Sequence, residues 1–229
     1  MRILAIDTSL NSASVCVADW EDDEFVMLAA ESAETNRAEA LAPMTGRVVD
    51  AAGGGMAALS RIAVTVGPGS FTGIRVGLSL ARGMGLALKI PVVGVPTLAA
   101  FARPLFSQTN GAAVAAAVDA RHGAVYFQLF DAYGASLGPP RVLSIADAAR
   151  AIGSGPARIA GDAAEAIAAE ARRSGLGVEA LLATPAPNIG AVARLGARLD
   201  PKAAPPRPIY VKAPDVRPNP EVAAGVDSV

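Results

Sequence analysis

ILAIDTS (Ile3 to Ser9), followed by ASVCVAD (Ala13 to Asp19) and FVMLAAE (Phe25 to Glu31), is the stretch whose reading decides the fold. ILAID is apolar up to its aspartate, so both faces of that strand must be covered, as in a central strand between helices. Glu21 to Asp23 make the second turn polar, and the reading is strand, turn, strand, turn, strand. About a hundred residues on the pattern returns: AAVAAAVD ends at Asp119, ARHG turns, AVYFQLFD follows, AYGAS turns, and a third run begins near Arg141. The repeat is compatible with an internal duplication, which makes Asp7 and Asp119 equivalent, and with two unrelated hairpins.

Between the repeats the sequence alternates helix and strand. Thr35 or Asn36 is placed to cap a helix over Arg37 to Ala52, whose apolar residues follow an i, i+3, i+4, i+7 spacing and whose Pro43 should kink it. RIAVTV (Arg61 to Val66) reads as a strand entering GPGSFTG, a second helix spans Thr72 to Leu88, and a strand at Val92 to Val95 precedes a short helix after Pro96. Helices are expected near Ile145 to Ile152, Ala163 to Arg173 and Ile189 to Leu199, and six prolines after residue 204 favour an extended tail. The organisation expected is an N-terminal subdomain over 1–105, a C-terminal one over 106–205 and a Pro-rich tail over 206–229.

Composition narrows the function classes. The chain has 229 residues, a formal net charge of −1, 52% hydrophobic residues and a mean hydropathy of +0.38, which supports a substantial core. Only 18% of residues are charged, so apolar surface should remain for a partner, while 4% aromatics and near-zero charge argue against nucleic-acid binding by this chain alone. The longest stretch without a charged residue or histidine, Pro104 to Val118, is 15 residues, short of a membrane span. Asp7 arrives too early for a signal peptide, and a cytoplasmic protein is expected. One cysteine (Cys16) and one histidine (His122) supply neither a disulfide nor a zinc cluster, and both read as structural.

The most distinctive segment is GPGSFTGIR (Gly67 to Arg75), between a strand and a helix. Gly67, Gly69 and Ser70 could cradle an anion at the helix N-terminus, or simply make a tight turn. The segment is neither a Walker A loop nor a dinucleotide GxGxxG, and the chain holds no GxSxG or HExxH motif. Asp7, with Thr8 and Ser9 behind it, stands where an enzyme of this architecture places its first carboxylate, or caps its own turn. In the helix that follows the loop, Gly73, Gly77, Ala81 and Gly85 form a small-residue stripe, and the preceding helix has its own in Ala38, Ala42 and Gly46. Such stripes suit close contact with another subunit or with the chain's own sheet.

The residues ILAIDTS, RAEALAPM (Arg37 to Met44), GPGSFTGIRVG (Gly67 to Gly77), VPTLAAFA (Val95 to Ala102), VDARHGAVYFQLF (Val118 to Phe130) and PIYVKAPDVRP (Pro208 to Pro218), in that order, closely resemble the bacterial TsaB (YeaZ) family. The resemblance covers about residues 1–218 and implies an α/β protein with the actin-like ATPase (ASKHA) fold of two duplicated ribonuclease-H-like halves. It implies an accessory, non-catalytic subunit that holds TsaD in forming threonylcarbamoyladenosine, next to the anticodon of tRNAs reading codons that begin with A. TsaE would join through the TsaB–TsaD pair, tRNA would be met only within the complex, and a homodimer would form on the same surface without TsaD. No intrinsic cofactor or metal is implied, with ATP or ADP at the junction of the assembled complex left open.

By that resemblance the partner surface is the helix pair, with Arg37, Leu41, Met44, Thr45 and Val48 on the first and Gly73, Ile74, Arg75, Gly77, Leu78, Ala81 and Gly85 on the second. Arg37 stands where many relatives have histidine. Asp7, Thr8, Ser9, Gly67, Gly69, Ser70 and Asp119 are then a vestigial nucleotide site without a catalytic role. Two competing readings are a nucleotide phosphotransferase using Asp7 and the Gly67–Gly73 loop, and a protease, for which no nucleophile–base pair stands in the sequence.

Overall fold

The computed structural model describes residues 1–22, 24–34, 38–106, 111–155 and 157–211. Three strands open the chain, β1 (Arg2–Asp7), β2 (Ala13–Glu21) and β3 (Glu24–Ala33), followed by α1 (Ala38–Ala52), β4 (Arg61–Thr65), α2 (Phe71–Leu88), β5 (Val92–Val95) and α3 (Thr97–Phe106). The series then repeats as β6 (Ala113–Asp119), β7 (Ala124–Phe130), β8 (Arg141–Ser144), α4 (Ile145–Ala151), β9 (Ala157–Ala160), α5 (Ala164–Arg173), β10 (Val178–Leu182) and α6 (Ile189–Arg198). The first sheet has the order β3-β2-β1-β4-β5 and the second β10-β9-β6-β7-β8. In both, the first three strands of the half are antiparallel and the last two add in parallel to the first. The repeat is therefore a duplication of a whole topology.

β1 and β6 are central and buried on both sides, which explains why ILAID and AVAAAV lack a polar face. One side of the first sheet packs Leu4, Ile6 and Val64 against Leu41 and Val48 of α1 and Ile74 and Leu78 of α2. Its other side packs Ile3, Ala5 and Ala63 against Val192 and Ala193 of α6. The second sheet uses α4 and α5 on one side and α3 on the other. Each half's last helix thus lies against the other half's sheet, and α3 touches α6 between the sheets. Close approach is built in: a Cβ on Gly196 of α6 would come 2.3 Å from Ala63 Cβ. From β4, Arg61 Nη1 donates to the carbonyls of Gly196, Ala197 and Leu199, each at 2.9 Å, satisfying the end of α6.

All six expected helices are present, most within a residue or two of their expected ends, and α1 continues through Pro43. The strands β9 and β10 were not expected. ARIA is four residues and VEALL carries no alternation, so pairing of β9 with β6 and of β10 with β9 makes them strands rather than any local signal. The caps suggested for α1, Thr35 and Asn36, and the tail from 212 on lie outside the described residues.

Candidate functional site

Asp7 closes β1 and is fully buried. Its Oδ1 accepts from Ser9 Oγ at 2.6 Å, Thr65 Oγ1 at 2.7 Å and Ser9 N at 3.1 Å, while Oδ2 has no hydrogen-bond partner. Burial pushes this carboxyl above the usual aspartate range, against the opposing pull of the Ser9 and Thr65 hydroxyls. Thr8 Oγ1 donates to the Gly73 carbonyl at 2.7 Å, and a Cβ on Gly77 would come 2.4 Å from that hydroxyl. Asp7 thus holds its own turn together, and α2 is pressed onto that turn.

The Gly67–Ser70 loop is committed in the same way. Ser70 N donates to Ser9 O at 2.7 Å, the Gly67 carbonyl accepts from Thr97 N at 2.9 Å, and Ser70 Oγ caps α2 by accepting from Gly73 N at 3.2 Å. A Cβ on Gly69 would meet Ser9 O at 2.2 Å. These contacts describe a tight strand-to-helix turn whose glycines are required by backbone approach.

Asp119 ends β6 but is exposed, and its Oδ1 accepts from Arg121 N at 2.9 Å, an Asx turn. Sequence reasoning missed its neighbour Asp162, whose Oδ1 accepts from Asp119 N at 2.9 Å. Burial, and behind it the charge of Asp119, pushes Asp162 upward, opposed by backbone hydrogen bonds. The signal for Asp162 was a strand ending in Gly-Asp, readable only once β9 is recognised. The two aspartates line a cleft of about 620 Å³ between the halves, with Asn11, Ser12, Glu34, Gly69, Ser70, Arg121 and Tyr210. Gly69, Ser70 and Asp119 line it, while Asp7, Thr8, Ser9 and Gly67 do not, Ser9 being joined to Ser70 behind the wall. Three carboxylates against one guanidinium make the lining acidic, and among the described residues no group of three or more His, Cys, Asp or Glu could hold a metal. His122 sits at positive φ in the exposed turn after β6, and the Cys16 thiol is buried and pushed up to about 12 by that burial.

The helix pair requires a correction to the expected contact face. Leu41, Met44, Thr45, Val48, Gly73, Ile74, Gly77, Leu78, Ala81 and Gly85 are all buried inside the chain. The small stripe of α2 faces its own sheet: a Cβ on Gly85 would come 2.2 Å from Val92 Cγ2, as that on Gly77 meets Thr8. Of the named contact residues only Arg75 is exposed, and Arg37 lies outside the described residues. What α1 and α2 turn outward is a groove of about 560 Å³ lined by Leu41, Ala42, Phe71, Thr72, Arg75, Val76, Ser79 and Leu80. Ala42 and Gly46 face out, so the small stripe of α1 does open onto solvent. At the groove's end Arg75 lies 3.7 Å over the Phe71 ring and donates to Tyr210 Oη at 3.2 Å, fixing the strap that follows α6.

Two like-folded sheets facing each other across a cleft, with the last helices exchanged between them, define the actin-like ATPase class of fold. The family model for TsaD, tRNA N6-adenosine threonylcarbamoyltransferase, matches residues 29–203. The tRNA threonylcarbamoyladenosine biosynthesis protein TsaB of Escherichia coli (strain K12) is 35% identical over 127 residues, 56% of this chain and 54% of the relative. The chain spans about half the length of the curated TsaB relatives it matches first. An uncharacterized protein of Mycobacterium tuberculosis is 32% identical over 218 residues, 94% of each chain. The crystallographic YeaZ from Pseudomonas aeruginosa superposes with a TM-score of 0.71 at 26% identity, over 91% of this chain and 99% of that one. The chain belongs to the TsaD family, in its TsaB (YeaZ) branch. Among the described residues no helix is long and apolar enough to cross a membrane.

Proposed function

We propose that this chain is a non-catalytic subunit in the formation of threonylcarbamoyladenosine on tRNA, that it binds TsaD through the outer face of α1 and α2, and that TsaE joins the pair. The observation that carries this reading is the apolar groove between those helices, a surface of the depth and chemistry that a partner helix fills. The sealed Asp7 turn and the acidic, ligand-poor cleft fit a subunit that positions an enzyme better than one that turns over substrate. Without TsaD the same groove would pair two copies of the chain, and tRNA would be met only within the complex.

The test is sedimentation of the chain with the TsaD of its own host, alongside a threonylcarbamoyl-transfer assay with and without the chain. A one-to-one complex and transfer that depends on the chain are expected. Transfer at full rate without it, or no association at micromolar concentration, overturns the reading. The cleft at the strand ends favours one second reading, a nucleotide held between the halves. Calorimetric titration with ATP and ADP, of the chain alone and of the pair, separates an intrinsic site from one completed by TsaD.

A further inference from the structure

The groove between α1 and α2 is apolar except at one place. Leu41, Ala42, Val76 and Leu80 make its walls and Thr72 and Ser79 add hydroxyls, while Arg75 is the one charged side chain in the lining. That guanidinium is set from two sides: Cζ lies 3.7 Å over the Phe71 ring, and Nε donates to Tyr210 Oη at 3.2 Å. The two rings themselves meet at 5.4 Å between centroids, so the arginine is carried on a small aromatic platform. Stacking and the bond through Nε fix the plane of the group. Among the described residues its two Nη ends, the fork of the guanidinium, have no hydrogen-bond partner.

No carboxylate answers this cation, since among the described residues every ion pair lies elsewhere. α2 has no acidic residue along its length, and its second cation, Arg82, is turned to the Pro206 carbonyl. α1 offers Glu39 in its first turn and Asp50 near its end, both exposed and neither within ion-pair distance of Arg75, while its Arg47 is taken up by Glu31. Glu34 lines the cleft between the halves and not the groove. From Lys202 to Val211 the strap adds Arg207 and no acid. A helix laid into the groove strips water from the Arg75 fork, and a buried guanidinium without an anion is strongly unfavourable. The helix that fits must therefore bring its own acid.

We propose that the groove selects a partner helix that is apolar along one face and places a carboxylate against Arg75, and that this helix belongs to TsaD. The parallel N–H groups of the guanidinium edge match the two oxygens of a carboxylate, and such forked pairs are both stronger and more directional than a neutral hydrogen bond. Because Phe71 and Tyr210 hold the arginine in advance, little side-chain freedom is lost when the acid docks. A helix with a lysine or arginine at that point would be turned away by like charge. A second copy of the chain is the poorer occupant, since it brings another Arg75 and, from its own α1 and α2, only Glu39 and Asp50 at opposite ends of one helix. The inference rests on the reading of the groove as the TsaD surface.

The test measures, by sedimentation, the dissociation constant of the pair formed with the TsaD of the same host at salt concentrations from about 50 to about 300 mM. It compares the unaltered chain with R75A, with R75Q, with V76A as an uncharged change in the same groove, and with D215N, the first acid after Tyr210 in the sequence. R75A and R75Q should pair about tenfold more weakly at low salt and lose most of the salt dependence, which the unaltered chain, V76A and D215N retain. Self-association should be no weaker in R75A than in the unaltered chain. Equal affinity for TsaD in R75A and the unaltered chain overturns the proposal. So does a loss of affinity with the salt dependence intact, which makes the acceptor on the partner uncharged, and so does equal weakening of self-association, which removes the selection. Tighter pairing by D215N overturns it by giving the guanidinium to the chain's own carboxylate. If R75A does not fold, R75Q decides alone. Absence of pairing by the unaltered chain defeats the proposed function itself, whereas pairing indifferent to Arg75 leaves that function standing and removes this inference alone.

Discussion

The two halves share a topology but not a surface. In the first half α1 and α2 span Ala38–Ala52 and Phe71–Leu88, touch each other little and leave an apolar groove between them. In the second half the equivalent α4 and α5 span Ile145–Ala151 and Ala164–Arg173, pack closely together, and carry the ion pairs Arg150–Asp147 and Arg173–Glu170 on their outer side. The inner faces do the same work, since Ile74 and Leu78 cover the first sheet as Ile167 and Ala168 cover the second. Duplication conserves the buried face because the sheet demands it. The outer face is free to diverge, and only the first half kept an apolar groove there.

The comparison breaks most severely where a glycine lets two backbones approach. Gly69→Ala brings a Cβ to 2.2 Å from Ser9 O in the first half, and Gly161→Ala one to 1.8 Å from Ala117 O in the second. Ser9 O is held by Ser70 N and Ala117 O lies within β6, so neither carbonyl can retreat freely and each variant should lose about 3 kcal/mol or more in urea denaturation. A small loss in one half alone would show that its turn is the softer copy. Gly77→Leu belongs with these: it should damage folding through Thr8 rather than pairing alone, and a folded Gly77→Leu chain with weakened pairing would reverse the assignment of the small stripe.

Next in size is Thr65→Val, which removes a hydroxyl donated to the buried Asp7 at 2.7 Å and should cost about 2 kcal/mol in the same measurement. Asp119→Asn, at the exposed equivalent, should cost less than about 1 kcal/mol. On the outer faces, Val76→Asp in the groove should weaken TsaD pairing about tenfold or more, close to 1.4 kcal/mol, while Ala166→Asp on exposed α5 leaves sedimentation of the pair unchanged. Equal effects would remove the distinction between the halves.

Asp7 also sets a pH dependence. Its carboxyl is raised in the folded chain above the ordinary 3.8, so the folded state holds the proton more tightly than the unfolded one. The stability this contributes is fully present below the unfolded value and is lost as pH rises from there through the folded value. Asp7→Asn should therefore gain on the unaltered chain as the pH of denaturation is raised from about 4 to about 7; a constant difference would mean that the buried carboxylate is as well solvated as a free one. The smallest effect expected is that of Glu170→Ala, which breaks an i, i+3 pair at the surface of α5 and should cost about 0.3 kcal/mol in thermal unfolding.

Much of this architecture was legible in the residues. Apolar runs and the repeated Asp-turn pattern located the strands from β1 to β8, and the six helices were expected where they stand. Two strands escaped because ARIA acquires its conformation by pairing with β6 and VEALL by pairing with β9 in turn. Asp162 escaped with them, being interpretable only as the end of β9 beside Asp119. The contact face of α2 was misjudged for a different reason. A Gly-Gly-Ala-Gly stripe at four-residue spacing reports that some backbone comes close, and says nothing about whether that backbone is a neighbouring subunit or, as here, the turn after β1 and the start of β5.

Local chemistry therefore determined the six helices and the strands other than β9 and β10, which turns carry an aspartate and where glycine is unavoidable, because each depends on residues adjacent in sequence. The exchange of α3 and α6 between the sheets, the sealing of Asp7 by Thr65, the opening of a groove between α1 and α2, and the holding of Arg75 by Tyr210 were decided only in three dimensions. Each joins residues far apart in sequence, as with Asp7 and Thr65, 58 positions apart, across elements whose packing is set by the burial of two sheets and not by any neighbour along the chain.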